Sequence, residues 1–303
     1  MRPLALAIVF IAACGTGDAG TKSRHAIVIG LDGVRVDALE RASTPRIDEL
    51  IAEGTVSYDA FAGGVLGTET QQPTFSGPGW SSILTGVWID KHGVQLNVFD
   101  EANFDEHPHF FAHVREKDPG AYLASFATWA PINESIASSA DVDVVFSSTM
   151  PTDSASGDMA VTAAVVSYLA SGTPDVVFVQ LDEVDHQGHV AGYGPDVPAY
   201  VEAIEAVDLQ IGEMVDAIRA RDTYASEDWL ILVTTDHGGT GKGHGGQSDE
   251  ERTIFMIVSG GDVSVGATVS PGPGHTSVPP TVMKHLGLSI DPQWGYAGDP
   301  FGL

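Results

Sequence analysis

The chain has 303 residues, of which 43% are apolar and 35 are glycine, and its 14 basic and 41 acidic side chains give a formal charge of −27. That length suffices for one large α/β domain or two small ones, with the apolar share of a globular protein. So acidic a surface argues against nonspecific binding of DNA or RNA, because neutralising phosphates requires Lys and Arg.

Residues 1–14 hold one early Arg and then a short apolar run. The run is too short to span a bilayer and reads as an export signal. Its ending, Ile11-Ala12-Ala13-Cys14-Gly15, resembles the lipobox of bacterial lipoproteins, in which the cysteine becomes the lipidated N-terminus. Residues 15–21 read as a flexible tether. Cys14 is the only cysteine, so the domain that follows is expected to have neither disulfides nor thiolate chemistry.

Residues 25–31 form a continuous apolar run ending in Asp32-Gly33. Thr44-Pro45 opens a helix to about residue 53, with Ile47, Leu50 and Ile51 on one face. Residues 56–61 read as a short strand leading through Gly63-Gly64 to Thr74-Phe75-Ser76-Gly77-Pro78-Gly79-Trp80. There the glycines and the proline predict a tight turn, with Ser76 just ahead of a buried helix that runs through Trp80 and Leu84. Exposed N–H groups and the dipole at such a terminus favour an anion. A serine in that place is either a nucleophile beside an anion site or an ordinary N-cap.

A turn at His92-Gly93 falls within residues 88–97. Residues 107–117 read as a helix whose His107, His109 and His113 are assigned to a solvated face. Strands follow at 121–128 and 142–147, then a helix at 157–170. Residues 175–181 are a second apolar run, leading to Asp182 and Asp185, and residues 198–221 make the clearest helical pattern. A third apolar run, 229–235, ends in Asp236-His237-Gly238-Gly239. A late strand at 253–259 and a helix at 277–286 complete the chain.

Continuous Val/Ile/Leu runs are characteristic of strands covered on both faces of a parallel sheet. Ligands of open α/β sheets bind beyond the carboxyl ends of such strands. Asp32, Asp185 and Asp236 are therefore expected to converge on one rim. The alternation of strands and helices predicts a three-layer α/β/α sandwich with a largely parallel central sheet.

The Asp32 strand end, the Ser76 stretch with its Leu84-Thr85-Gly86 ending, Asp185-His186-Gln187-Gly188-His189 and Asp236-His237-Gly238 occur in that order. Together they resemble the alkaline phosphatase superfamily, and within it the nucleotide pyrophosphatase/phosphodiesterase branch, over residues 27–288. The resemblance implies an alkaline phosphatase-like fold holding two divalent metal ions, normally zinc. Asp32, Asp236 and His237 would hold one ion together with Ser76 Oγ. Asp185, His189 and His244 would hold the other. His275 competes for that last place, but His244 precedes the strand at 253–259 as the family's ligand precedes its own. His186 is assigned to the wall of the site. Such a mixed nitrogen and oxygen donor set suits zinc and also admits manganese or iron.

Ser76 is expected to attack phosphorus and form a phosphoserine, with Thr74 the alternative nucleophile. Asn97 falls where the diesterase branch has an asparagine, whose amide donates to a non-bridging oxygen. Sulfatases of the superfamily need arginine at the fourth position after the nucleophile, where this chain has Trp80. Phe75 and Trp80 either stack a base or aromatic leaving group or pack in the core. Cleavage of phosphodiester or nucleotide pyrophosphate bonds is the expected activity, on a small phosphate ester or nucleotide. Alternatives are a phosphomonoesterase, then a sulfatase or a non-catalytic metal-binding lipoprotein. Residues 1–22 are expected to be signal and tether, and 23–303 a single metal-dependent hydrolase domain. Its expected location is the bacterial cell envelope, with membrane contact only through a lipid on Cys14. The sequence assigns no oligomeric state.

Overall fold

A strand sends alternate side chains to opposite faces, so an unbroken apolar run must be covered on both sides. The computed structural model describes residues 22–137, 142–148 and 154–303, and the leader, the tether and Cys14 lie outside them. The first half contains β1 (Ser23–Leu31), α1 (Val36–Leu39), α2 (Pro45–Ala52), β2 (Gly54–Phe61), α3 (Ser76–Thr85), α4 (Ile89–His92), α5 (Phe110–Lys117), β3 (Leu123–Ala127) and β4 (Val144–Ser147). Then come α6 (Ser154–Ser171), β5 (Val176–Leu181), α7 (Glu183–Ala191), α8 (Pro198–Arg219) and β6 (Glu227–Thr235). Last are α9 (Asp249–Arg252), β7 (Thr253–Gly260), β8 (Ala267–Thr268) and α10 (Val278–His285).

The strands form one sheet in the order β4-β3-β5-β1-β6-β7-β2-β8, in which β7 alone runs against its neighbours. Ile27, Ile29 and Leu31 of β1 enter one core with residues of α2, α6 and α8. Ala26 and Val28 enter the other, with residues of α3, α5 and α10. The architecture is thus the α/β/α sandwich with a largely parallel sheet that the alternating elements predict.

The three apolar runs are neighbours, β5-β1-β6, and all are parallel. Leu31 pairs with Leu181 on one side and with Thr235 on the other. Three strands therefore end level, and the next residue of each is an aspartate: Asp32, Asp182 and Asp236. This register brings sequence-distant carboxylates together.

Two expectations change. The helix α7 was not foreseen; it sets Asp185 and His189 one turn apart on the same face. The helix α5 does not turn its histidines to water, because His109 and His113 are both buried. His113 stacks on Trp294 at 4.1 Å and its Nδ1 pairs with Tyr296 Oη at 2.7 Å. The C-terminal segment covers the face that helical periodicity alone leaves open. Among the described residues no helix is long and apolar enough to cross a membrane.

Candidate active site and metal centre

Ser76 is the first residue of α3, not its cap. Phe75 holds the N-cap position and makes no side-chain capping bond. The glycines expected to form a turn instead lie in the first helical turn, where neighbouring chain comes too close for a side chain. A Cβ on Gly77 would sit 2.4 Å from the Leu96 carbonyl, and one on Gly79 would sit 2.9 Å from Asp236 Cβ. That turn also offers an anion fewer donors than a generic helix terminus. The Gly77 N–H donates to Asn97 Oδ1 at 2.7 Å, Pro78 has none, and the Gly79 N–H bonds Phe75 O. Ser81 and Thr85 satisfy their buried hydroxyls on carbonyls four residues back, which lets a serine-rich helix lie in the core.

Ser76 Oγ lies 3.4 Å from Asp32 Oδ1 and 3.3 Å from His237 Nε2. His237 Nε2 is also 3.3 Å from Asp236 Oδ2. The tautomer decides what this means. His237 Nδ1 is 2.8 Å from the Gly238 carbonyl, which can only accept a hydrogen bond, so Nδ1 carries the hydrogen. The neutral ring therefore turns an Nε2 lone pair toward two carboxylates and a hydroxyl. Asp236 Oδ2 is buried and accepts no hydrogen bond. Lone pairs gathered in this way suit a cation.

The second group repeats the pattern. His189 Nδ1 is held by the Lys242 carbonyl at 3.1 Å, and His244 Nδ1 by the Thr74 carbonyl at 2.8 Å. Their Nε2 atoms face each other at 3.1 Å, with Asp185 oxygens 3.3 Å from His189 and 3.7 Å from His244. Metal-ligating histidines commonly have the second ring nitrogen fixed by a carbonyl or carboxylate. Asp32, Asp236 and His237 form one cluster whose ligand atoms are close enough to share a metal ion, and Asp185, His237 and His244 form another that shares His237.

Electrostatics agree with that reading. Burial, and then the charges of Asp236, Asp185 and Asp182, push Asp32 well above the usual carboxylate range. Burial and Asp185 do the same to Asp236. Burial would also raise Asp185, but the His189 hydrogen bond and the nearby His237 and His244 hold it at about 2. Bonded to Asp185, His189 rises to about 9, whereas burial lowers His237 and takes His244 to about 4. Two carboxylates pushed toward neutrality and a histidine pulled toward charge are what a polyanionic pocket does when protons must balance it.

Of the other expected residues, Asn97 is exposed beside Gly77, with its Oδ1 on that N–H. Thr74 is buried and occupied, donating to Gly246 O and accepting from Gly245 N, each at 3.0 Å. Phe75 packs edge-on to His244 at 5.6 Å. Trp80 is 0% exposed, so it cannot stack a base. Its Nε1 donates to Asp32 Oδ2 at 2.8 Å. His275 is buried against Trp88 at 4.8 Å; it, His186 and the expected ligand His189 fall outside the two clusters, although His189 Nε2 lies 3.3 Å from Asp185 and 3.1 Å from His244 Nε2. The sequence reading missed Tyr193, whose hydroxyl donates to Asp185 Oδ1 at 2.5 Å, and Gln180, which reaches Asp32 from β5. No motif spacing points to either.

A family model described as type I phosphodiesterase / nucleotide pyrophosphatase matches residues 26–242. Bis(5'-adenosyl)-triphosphatase ENPP4 of Bos taurus is 25% identical over 244 residues, or 76% of this chain and 49% of that protein. The chain spans about half the length of the curated relatives it matches. Among solved structures, murine ectonucleotide pyrophosphatase / phosphodiesterase 5 superposes with a TM-score of 0.64 at 15% identity, covering 88% of this chain and 96% of that one. A phosphonate monoester hydrolase from Silicibacter pomeroyi gives 0.70 at 14% identity, over 92% and 76%. At such identities these structures speak for the fold alone. The family match itself runs from β1 through Ser76 and Asp185 to the Asp236-His237 turn, and the chain belongs to the type I phosphodiesterase / nucleotide pyrophosphatase family.

Proposed function

We propose that the protein is a metal-dependent hydrolase that cleaves phosphodiester or nucleotide pyrophosphate bonds with Ser76 as its nucleophile. One observation carries the reading. Three histidines whose Nδ1 atoms are held by backbone carbonyls direct Nε2 toward Asp32, Asp236 and Asp185, with the Ser76 hydroxyl 3.3 Å from one of them. Asp32, Asp236 and His237 would hold one divalent cation with Ser76 Oγ, and Asp185, His189 and His244 a second. Zinc is the first choice for this donor set. When bound, the two cations supply positive charge to a serine alkoxide and to the oxygens of an in-line displacement.

Ser76 gives up its hydroxyl proton and forms an Oγ–P bond as one alcohol or phosphate group leaves and takes up a proton, giving a covalent phosphoseryl ester that keeps the substrate's other substituent. Water then cleaves that ester and returns the hydroxyl. Asn97 Oδ1 is held by Gly77, which turns the amide N–H groups outward to donate to a non-bridging oxygen. A neutral amide matches the single charge of a diester. The fourth residue after Ser76 is Trp80, whose N–H is committed to Asp32 and is not an anion-binding cation. This favours the diester over the sulfate and monoester alternatives.

Hydrolysis of bis(p-nitrophenyl) phosphate beside p-nitrophenyl phosphate and p-nitrophenyl sulfate tests the proposal, with chelator and zinc readdition. Faster metal-dependent turnover of the diester is expected, and preference for the monoester would identify a phosphomonoesterase. No turnover by fully metallated protein would favour a metal-binding lipoprotein. The bovine relative's name adds a dinucleoside triphosphate to the substrates to try. The proposal includes residues 23–303 as one hydrolase domain, exported and held at a bacterial envelope by a lipid on Cys14, supported by the leader pattern of residues 1–14.

A further inference from the structure

The two oxygens of Asp32 have different surroundings. Oδ1 faces Ser76 Oγ at 3.4 Å and His237 Nε2 at 3.5 Å. Oδ2 instead receives Trp80 Nε1–H at 2.8 Å and a Gln180 Nε2–H at 3.3 Å. The Gln180 amide has one possible orientation. Its Oε1 accepts the Trp129 backbone N–H at 2.8 Å, so Nε2 must be the atom turned to Asp32. The second amide hydrogen reaches Asp182 Oδ1, also at 3.3 Å.

Ser76 and Trp80 are four residues apart on α3, so one helix face presents both to the same carboxylate. The hydroxyl meets one oxygen and the indole the other. Trp80 is fully buried and packs edge-on to Phe178, with ring centroids 6.0 Å apart. Its ring also lies against Gly30 of β1, where a Cβ would come within 2.4 Å. Hydrophobic packing fills this space but does not by itself require an indole nitrogen. What the indole adds is an N–H aimed at Asp32.

We infer that Trp80 and Gln180 are positioning residues that hold Asp32 one-sided, leaving only Oδ1 to face a cation beside Ser76. The inference rests on the metal-dependent reading above. N–H groups stabilise the remote oxygen without offering a lone pair, so they steady a buried ligand without adding a donor that competes for the ion. The same contact sets the register of the nucleophile helix against β1. Losing it lets the carboxylate rotate, which weakens the hold on the ion and the placement of Ser76 together.

The test is zinc affinity of the full chain, measured by competition with a chromophoric chelator, for wild type, Trp80→Phe, Gln180→Met and Phe178→Leu. Thermal unfolding with and without zinc accompanies each. Trp80→Phe is expected to weaken one of two zinc sites by about 10–100-fold, and Gln180→Met by about 3–10-fold. Phe178→Leu loosens the same packing without touching Asp32, and should lower the zinc-free melting temperature while keeping zinc affinity within about twofold. Zinc should also raise the melting temperature of Trp80→Phe less than that of wild type. Equal affinity in wild type and Trp80→Phe overturns the inference, as does an equal loss in Phe178→Leu. If Trp80→Phe does not fold, Gln180→Met decides: a loss supports the inference, and wild-type affinity overturns it. A wild type that binds no zinc or other divalent ion overturns the metal-dependent reading and this inference with it. Tight binding unaffected by the substitutions sinks the inference alone.

Discussion

Asn97 Oδ1 accepts the Gly77 N–H at 2.7 Å, one residue beyond Ser76, and this single bond orients the Asn97 amide. The oxygen is occupied by a group that can only donate, so the NH2 end is left for a ligand. Replacing Asn97 with Ala should lower diester kcat by about 100-fold with little change in metal content. Asn97→Asp should do no better, because it sets a negative charge beside the phosphoryl oxygens. Steady-state kinetics within twofold of wild type for both variants would remove Asn97 from the chemistry.

Ser76 and Thr74 are distinguished by what their hydroxyls already do. Thr74 bridges Gly246 O and Gly245 N, whereas Ser76 faces Asp32 and His237. Ser76→Ala should cost about 1000-fold or more in turnover and leave no phosphoenzyme in acid-quenched samples. Thr74→Ala should keep kcat within a few-fold and lose about 1–2 kcal/mol of stability in denaturant titration. The reverse pattern would make Thr74 the nucleophile.

The proposed metal centre predicts separable losses. His189→Ala or His244→Ala should reduce bound zinc from about two ions per chain to about one, read by elemental analysis after gel filtration. Exhaustive chelation should abolish turnover, and zinc readdition should restore it. Full zinc content in both variants would move the second site elsewhere.

Gly30 gives a test of packing. Ala at this position, near the C-terminal end of β1, sets a methyl 2.4 Å from the Trp80 ring, which is itself fully buried and held by its bond to Asp32. Gly30→Ala is expected to destabilise the fold by about 1–3 kcal/mol, measured by urea unfolding. An unchanged midpoint would mean that the indole has room to shift.

Acid stability should depend on Glu227. Burial alone would raise this carboxyl, but hydrogen bonds from Arg221, Thr223 and Trp229 hold it at about 2, below its ordinary 4.5. A depressed folded-state value means that the unfolded chain takes up the proton first as pH falls. The contribution is therefore complete above about pH 4.5 and is lost as pH drops toward 2. Between pH 5 and pH 3 the wild type should lose on the order of 2 kcal/mol more than Glu227→Gln. Parallel pH profiles for the two would contradict this.

Much of the molecule is legible in its residues because strand and helix periodicity are local. Three unbroken apolar runs specify strands buried on both faces, and the aspartate after each marks a sheet rim. Asp32, Ser76, Asp185, His189, Asp236, His237 and His244 could be nominated before any coordinate from their motifs and the family resemblance, His244 in competition with His275. What spacing cannot convey is direction and company. His109 and His113 look solvated on a helical wheel and are buried, His113 because a segment nearly two hundred residues later covers it. Trp80 could by its sequence either stack a ligand or pack in the core; it packs in the core, where β1 leaves a gap at Gly30 for its ring, and donates a hydrogen bond to Asp32. Gln180 carries no motif at all; its amide matters only because β5 lies beside β1 and Trp129 orients it. Chemistry-bearing residue types and their strands follow from local order along the chain. Tautomers, tethered carboxylate oxygens and covered faces depend on which distant segments pack together, and only the folded arrangement decides them.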